Sequence, residues 1–281
     1  MNRSKMTIRN LELGVIMEKI QSVQLFSNHT TKSEIIKEQV IKELIEKQIE
    51  IKDDAQLCMA IGGDGSFLHM VHQKHFNTNC MYVGLHAGTL GFLQEVSVDE
   101  IPIFLDHIQR GDYFSYPIDV QKTIITDIYG KEHTLLSINE VVVRKSNLKA
   151  LKANVYIDNH LLEFFAGDGL LVSTSIGSTA YNMSFGGSLV DSSLQTMQLT
   201  PIAPLINCHY HNLQNSLVLP DTKKIMYEIE DESLVITVDG QNTVIDHVCK
   251  VEVEIIKEKL NCIYYRKIDT ATKIREKLIK E

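Results

Sequence analysis

The sequence predicts an α/β N-terminal domain followed by an all-β, sandwich-like C-terminal domain, with a C-terminal helix packing back on the first domain. Three observations predict it. Apolar strand runs alternate with helical apolar stripes up to about residue 110. Past Pro117 the stripes give way to period-two alternation broken by turn residues. From Thr270 to Glu281 the helical pattern returns. The predicted boundaries are 1–115, 116–265 and 266–281.

In the first domain, Ser22 to Ser27 reads as a strand. Thr31-Lys32-Ser33-Glu34 has capping-box spacing, and Ile35, Ile36, Val40, Ile41, Leu44, Ile45 and Ile49 then form a helical stripe. Leu57 to Ile61 is a short buried strand that stops at Gly62-Gly63-Asp64-Gly65. Ser66 offers an N-cap hydroxyl, and Phe67, Leu68 and Val71 begin a helix. Met81 to Leu85 is the next strand. Ser97-Val98-Asp99-Glu100 is a second capping box, opening a helix through about Gln109 that Gly111 stops. Strand and helix in turn give a mostly parallel, Rossmann-like sheet. In the second domain the alternating pairs run from Ile118/Val120 to Val251/Val253/Ile255. Turns are predicted at Tyr129-Gly130, Asp158-Asn159 and Asp239-Gly240.

Composition narrows the function. The chain has 281 residues, 44% hydrophobic and 23% charged, enough for two modest domains. A net charge of −8 argues against a nucleic-acid binder, while leaving room for phosphate held by backbone N–H groups. The five cysteines are scattered and odd in number, which reads as reduced core thiols. No apolar leader opens the chain and no stretch reaches membrane-spanning length, so a cytoplasmic protein away from the membrane is expected.

Of the 15 glycines, six fall between Gly62 and Gly91 and five between Gly167 and Gly187, denser than scattered turns produce. Gly62, Gly63 and Gly65 let backbone N–H groups approach a ligand, and the helix N-terminus after them favours negative charge; both suit a phosphate. Asp64 inside that turn is either a base beside a phosphorylated substrate or a turn residue bonding its own backbone. The run Gly167 to Asn182 is rich in small and hydroxyl residues, with Tyr181 available to stack on a flat ring. Asn139-Glu140 interrupts the apolar strand Leu135 to Val143. An Asn amide suits a base edge and a Glu suits ribose hydroxyls.

These stretches together resemble the NAD kinases. Gly62-Gly63-Asp64-Gly65, Asn139-Glu140 and the run from Gly167-Asp168-Gly169 through Gly177-Ser178-Thr179-Ala180-Tyr181-Asn182 stand in that family's order, and His86 to Leu93 is similar to a further loop of it. The resemblance covers essentially the whole chain. It implies phosphoryl transfer from ATP or polyphosphate, with Mg²⁺, to the 2′-hydroxyl of the adenosine ribose of NAD. Asp64 would accept the proton, with Gly65 and Phe92 near the substrate. Asn139 and Glu140 would hold the adenosine half. Thr179, Ala180, Tyr181, Asn182, Met183 and Ser184 would line its pocket, and Asp168 would contact the other half. Ala203 and Gln241 are weaker carry-overs. The family forms dimers and tetramers, so a homodimer or homotetramer is implied. The chain departs from the pattern at Ala166, where many members carry a basic residue, and at His69, where Arg is frequent. His69 stays among the substrate-binding candidates, and the phosphate contacts would then come from elsewhere, Lys149 or Lys152 for example.

Other readings fit less well. There is no G-x-x-x-x-G-K-[ST] and no H-R-D catalytic loop. Ser173-Thr174-Ser175-Ile176-Gly177 falls short of a nucleophile elbow, with Ser in first place and β-like surroundings. His69, His72 and His75 drift round a helix and read as solvated, and no metal cage is predicted. A lipid kinase shares the first motif, and a non-catalytic NAD sensor would use the same pocket without needing Asp64.

Overall fold

The protein is described by a computed structural model covering residues 17–86, 91–147, 149–207, 210–266 and 270–279. The chain divides into two compact units. One holds the residues up to Ile118 and those from Lys259 on; the other is Asp119–Glu258.

In the first unit β1 (Ser22–Ser27), α1 (Thr31–Glu46), β2 (Glu50–Ile51), β3 (Leu57–Gly62), α2 (Asp64–Gln73), β4 (Met81–His86), β5 (Val96–Ser97) and α3 (Ile101–Arg110) follow in order. The sheet is parallel: β2 and β3 flank β1, β4 pairs with β3, and β5 pairs with β4. All six residues of β3 are buried, as a central strand covered on both faces requires. Val23, Leu57, Met59, Ile61, Val83 and Leu85 form a core with Ile36, Val40 and Leu44 of α1 and Phe104, Leu105 and Ile108 of α3. Each such side chain contributes about 1.5–3 kcal/mol by leaving water.

Local signals fix the ends. Ser97 and Glu100 form the capping box, and Gly111 ends α3 at φ 74°. Two starts differ from the sequence reading. α1 is capped by Thr30, whose hydroxyl accepts the Ser33 N–H at 3.3 Å, because Glu34 turns away to take the Ser27 hydroxyl at 2.5 Å. α2 starts at Asp64 with Gly63 as N-cap, so Ser66 lies inside the helix and caps nothing.

In the second unit β6 (Phe114–Asp127, which starts in the first), β7 (Glu132–Ser137), β8 (Glu140–Lys145), β9 (Leu151–Ile157), β10 (His160–Thr174), α4 (Tyr181–Ser184), β11 (Thr196–Pro204), β12 (Ile206–Asn207), β13 (Tyr210–His211), β14 (Leu217–Pro220), β15 (Lys224–Val238) and β16 (Gln241–Tyr264) follow. The pairings given for this unit are antiparallel. Long strands β10 and β15 each pair with β9 along one half and with β8 along the other. Asp158 (φ 48°) and Asn159 (φ 65°) turn β9 into β10, and Asp239 (φ 47°) and Gly240 (φ 81°) turn β15 into β16; both pairs are left-handed, the two-residue hairpin geometry. Val141, Val143, Val172, Leu199, Ile236 and Val251 belong to this unit's own core.

The end of β16 lies parallel to β4 in the first unit, and α5 (Thr270–Leu278) follows it. Lys273 of α5 pairs with the buried Glu95. Cys58 and Cys80 are free thiols with their sulfurs 3.7 Å apart; Cys208 lies outside the described residues. Among the described residues no helix is long and apolar enough to cross a membrane.

At φ 74°, Gly111 occupies a conformation that a side chain disfavours. Gly111→Ala is expected to lower stability by about 1 kcal/mol, read as a lower urea midpoint at unchanged slope.

Candidate functional site

The glycine turn belongs to the first unit. β3 ends at the buried Gly62, Gly63 leaves the strand extended, and Asp64 opens α2, where the positive end of the helix favours its carboxylate. The Phe92 N–H donates to Asp64 Oδ2 at 2.9 Å and the Leu93 N–H to Oδ1 at 2.8 Å. A side chain at Gly91 would put its Cβ 2.1 Å from Asp64 Oδ1, so glycine there lets the carboxylate dock. Among the described residues nothing stands within 4 Å of where a Cβ would sit on Gly63 or Gly65. Residues 87–90 of the loop before Gly91 lie outside the described residues. His69 is exposed on α2.

Phe92 carries a second contact. The Lys277 ammonium of α5 lies 4.5 Å from its ring centroid, in cation–π range. Lys277 Nζ is buried without a hydrogen-bond partner among the described residues. Burial, then the nearby Lys273 charge, pushes it down to about 8, against the opposing pull of Glu95 and Asp64.

The second unit carries the Asn139-Glu140 motif, and the strand read across it is in fact two. β7 ends at Ser137 and β8 starts at Glu140. The break is held by Asp239, a buried residue that sequence reasoning took only for a turn. Its carboxylate accepts the Ile138 N–H at 3.0 Å and the Asn139 N–H at 2.8 Å. The Asn139 carbonyl accepts the Thr174 N–H at 2.9 Å, and the Thr174 hydroxyl donates to the Ile138 carbonyl at 2.6 Å and accepts the Gly177 N–H at 3.1 Å. A Cβ at Gly177 would lie 2.0 Å from the Asn139 carbonyl oxygen, so the third motif packs directly against the second. The Asn139 side-chain amide makes no hydrogen bond among the described residues.

Glu140 is 5% exposed. Burial first, then the Asp239 charge, pushes its carboxyl up to about 8, with the Tyr181 backbone N–H pulling the other way. Its Oε2 has no partner among the described residues. At neutral pH it is therefore largely a neutral acid, able to donate as well as accept.

Gly167 to Asn182 folds as the end of β10, a 3₁₀ turn (Ile176–Thr179) and the start of α4. The strand-to-helix turn that an elbow needs is thus present at Ser175, contrary to the β-like context read from sequence; Ser173 in first position still departs from that motif. The Tyr181 ring is 40% exposed. It stands edge-on to Phe185 with centroids 4.7 Å apart. The Arg144 guanidinium lies 5.8 Å from the Tyr181 ring and 5.5 Å from Phe185. Thr179 and Ala180 are half-buried, and Met183 and Ser184 exposed. Asn182 is different: its side chain is wholly buried and takes the Thr200 hydroxyl at 2.6 Å. Only its Oδ1 is engaged there; its Nδ2 has no hydrogen-bond partner among the described residues.

Asp168 and Ala203 stand opposite each other on β10 and β11, between the pairs Gly167–Pro204 and Gly169–Ile202. Both are exposed, and Ala203 has a strained φ of 43°. Lys149 is exposed in the loop after β8, and Gln241 is exposed at the head of β16. Arg144 and Lys277 went unread because each sits among other Lys and Arg residues; a buried role leaves no mark on such runs.

Residues 138–264 match the family described as ATP-NAD kinase C-terminal domain. The NAD kinase of Finegoldia magna is 34% identical over 240 residues, 83% of this chain and 87% of that one. The NAD kinase of Streptococcus gordonii is 30% identical over 248 residues, 86% and 89% of the two chains. Among solved structures, yeast NADH kinase complexed with NADH superposes with a TM-score of 0.82 at 18% identity, covering 92% of this chain and 87% of that one; at that identity the likeness is one of fold.

Glu140 yields a test of the buried carboxyl. Its raised value means the native state binds the proton more tightly than the unfolded chain. The stabilisation is full below the ordinary value of 4.5 and is lost as pH rises through about 8. Glu140→Gln removes the titration. Relative to wild type the variant is expected to gain about 2–4 kcal/mol of stability between pH 5 and pH 9, measured by urea unfolding at both. A pH-independent difference would show that Glu140 is not held neutral by the fold.

Proposed function

The chain belongs to the NAD kinase family, and we propose that it transfers the terminal phosphoryl group of ATP, or of polyphosphate, to the 2′-hydroxyl of the adenosine ribose of NAD, forming NADP. One observation carries this reading: the Asp64 carboxylate at the start of α2, oriented by the Phe92 and Leu93 N–H groups between glycines that leave open space. An ionised carboxylate has about four acceptor sites. Two are taken here by backbone, which fixes the group and leaves it able to accept a hydroxyl proton.

With ATP the step balances simply. The 2′-oxygen forms a bond to the γ-phosphorus, the bond from that phosphorus to the β,γ-bridging oxygen breaks, and ADP leaves with the electron pair. The hydroxyl proton passes to Asp64. A hydroxyl attacks poorly while it keeps its proton, so a carboxylate within reach accelerates the step. The open N-terminal end of α2 receives phosphate oxygens.

Asn139, Glu140 and Tyr181 suit an adenosine. The unpaired Asn139 amide suits a base edge. Glu140, largely neutral, suits a ribose hydroxyl as donor or acceptor. The exposed face of Tyr181 suits stacking on adenine, stiffened by Phe185 and Arg144. Asp168 contacts the other half of the dinucleotide. Among the described residues no three His, Cys, Asp or Glu side chains gather as metal ligands, which does not fit an ion held by the protein alone. The Mg²⁺ counts as part of the donor substrate, and no step runs through it.

Purified protein with NAD, ATP and Mg²⁺ is expected to form NADP, read through a coupled NADP-specific dehydrogenase. Asp64→Asn should lower turnover about 10²–10⁴-fold while NAD affinity by calorimetry holds. Near wild-type turnover in that variant would remove Asp64 from the chemistry. Tyr181→Ala is expected to weaken NAD binding about 5- to 100-fold, the worth of one stacked base, with turnover at saturation little changed. An unchanged dissociation constant would remove the ring from the adenine pocket.

A further inference from the structure

The C-terminal helix of the first unit brings a buried ammonium to the glycine turn. Lys273 fixes α5 through its pair with Glu95. Lys277, one turn on, falls on the same helix face. Its Nζ sits over the ring of Phe92, the residue whose N–H holds Asp64 Oδ2. That nitrogen is screened from solvent and makes no hydrogen bond among the described residues. An unpaired buried charge is costly, and a cation–π contact returns only about 1–2 kcal/mol. The three carboxylates that act on Lys277 have other partners: Glu95 pairs with Lys273, Asp64 takes two backbone N–H groups, and the exposed Glu276 lies 4.0 Å from the Arg275 guanidinium. Among the described residues the ammonium therefore has no hydrogen-bonded anion, and it lies beside a turn where no described atom stands within 4 Å of a Cβ built on Gly63 or Gly65.

We propose that Lys277 is the phosphate-binding cation of the glycine turn, its ammonium pairing with the non-bridging oxygens of the donor's terminal phosphoryl group beside Asp64. The inference deepens the kinase reading and rests on it. Lys277 makes and breaks no bond to phosphorus; it offsets charge on oxygens that Asp64, itself negative, would repel. The ligand class is the terminal group of a polyphosphate chain, whether ATP or inorganic polyphosphate carries it.

Two measurements test this. In steady-state kinetics Lys277→Met is expected to lower kcat/KM for ATP about 10- to 100-fold, with the NAD dissociation constant by calorimetry within about twofold of wild type and Lys277→Arg recovering most of the loss. Separately, lysines are reductively methylated with ¹³C and the Lys277 resonance is assigned by its absence in Lys277→Arg. Inorganic tripolyphosphate is expected to shift that resonance in a saturable way. Retention of kcat/KM for ATP within about threefold in Lys277→Met would overturn the proposal, and so would a resonance indifferent to tripolyphosphate. A variant that weakens NAD instead of ATP would also overturn it. Comparing ATP with polyphosphate as donor shows which source the residue serves. Should Lys277→Met fail to fold, the Lys277→Arg kinetics and the methyl resonance decide. Should wild-type protein form no NADP, the kinase reading falls, and the tripolyphosphate titration alone then decides the role of Lys277.

Discussion

The Asn139-Glu140 motif of the second unit depends on one buried carboxylate. Asp239 sits at the β15–β16 turn and takes two adjacent backbone N–H groups, those of Ile138 and Asn139. Two neighbouring N–H groups cannot both face one partner in a regular strand, because successive peptides alternate sides. Asp239 therefore forces the break between β7 and β8. The break frees the Asn139 carbonyl for the Thr174 N–H, and among the described residues the Asn139 side-chain amide makes no hydrogen bond. The same charge, behind burial, raises the Glu140 carboxyl. One carboxylate thus sets backbone path, polar availability and protonation together. Its two charge-assisted hydrogen bonds, each worth about 1.5–3 kcal/mol, offset the cost of burying it.

Asp64 in the first unit follows a parallel logic with a different outcome. It too takes two consecutive N–H groups, Phe92 and Leu93. It differs in standing at a helix N-terminus and half-exposed. A carboxylate oriented by backbone donors stays put as a ligand arrives, and reorganisation is what slows charge transfer in water. The glycines divide into two kinds on the same evidence. Gly91 and Gly177 are required by protein atoms that a Cβ would strike, whereas a Cβ on Gly63 or Gly65 would meet no described atom within 4 Å.

How much was legible in the sequence follows from how local the cause is. The α1 stripe, the Ser97–Glu100 box, the Gly111 stop and the Asp158-Asn159 and Asp239-Gly240 turns are set by residues a few positions apart, and the structure has each. The start of α2 was misplaced because Ser66 carries a valid capping hydroxyl, while the helix starts earlier, where Asp64 is gripped by residues 28 and 29 positions away. The strand break at Ile138 was invisible because its cause lies 100 positions downstream. The resemblance implied Asn182 as a pocket residue, and only the structure shows its side chain buried against Thr200 and Gly187. Asn139, Glu140 and Tyr181 stood out as polar or aromatic groups where a strand or small-residue run would otherwise be apolar. Arg144 and Lys277 gave no such contrast.

The charge balance explains why so few cations are involved. A chain of net charge −8 cannot gather a basic patch for a polyphosphate without working against its own field. Backbone N–H groups at a helix end carry no net charge and are insensitive to that field, so they provide the bulk of a phosphate cradle. What they lack is a monopole to face the developing charge on the transferred group. A single desolvated ammonium supplies it more strongly than several exposed lysines, because screening by water and salt falls steeply with burial. Burial also explains the position on α5. A lysine in the turn itself would pair with Asp64 and neutralise the base. A lysine reaching in over Phe92, with the Asp64 oxygens already occupied by N–H groups, leaves both charges available to the substrate.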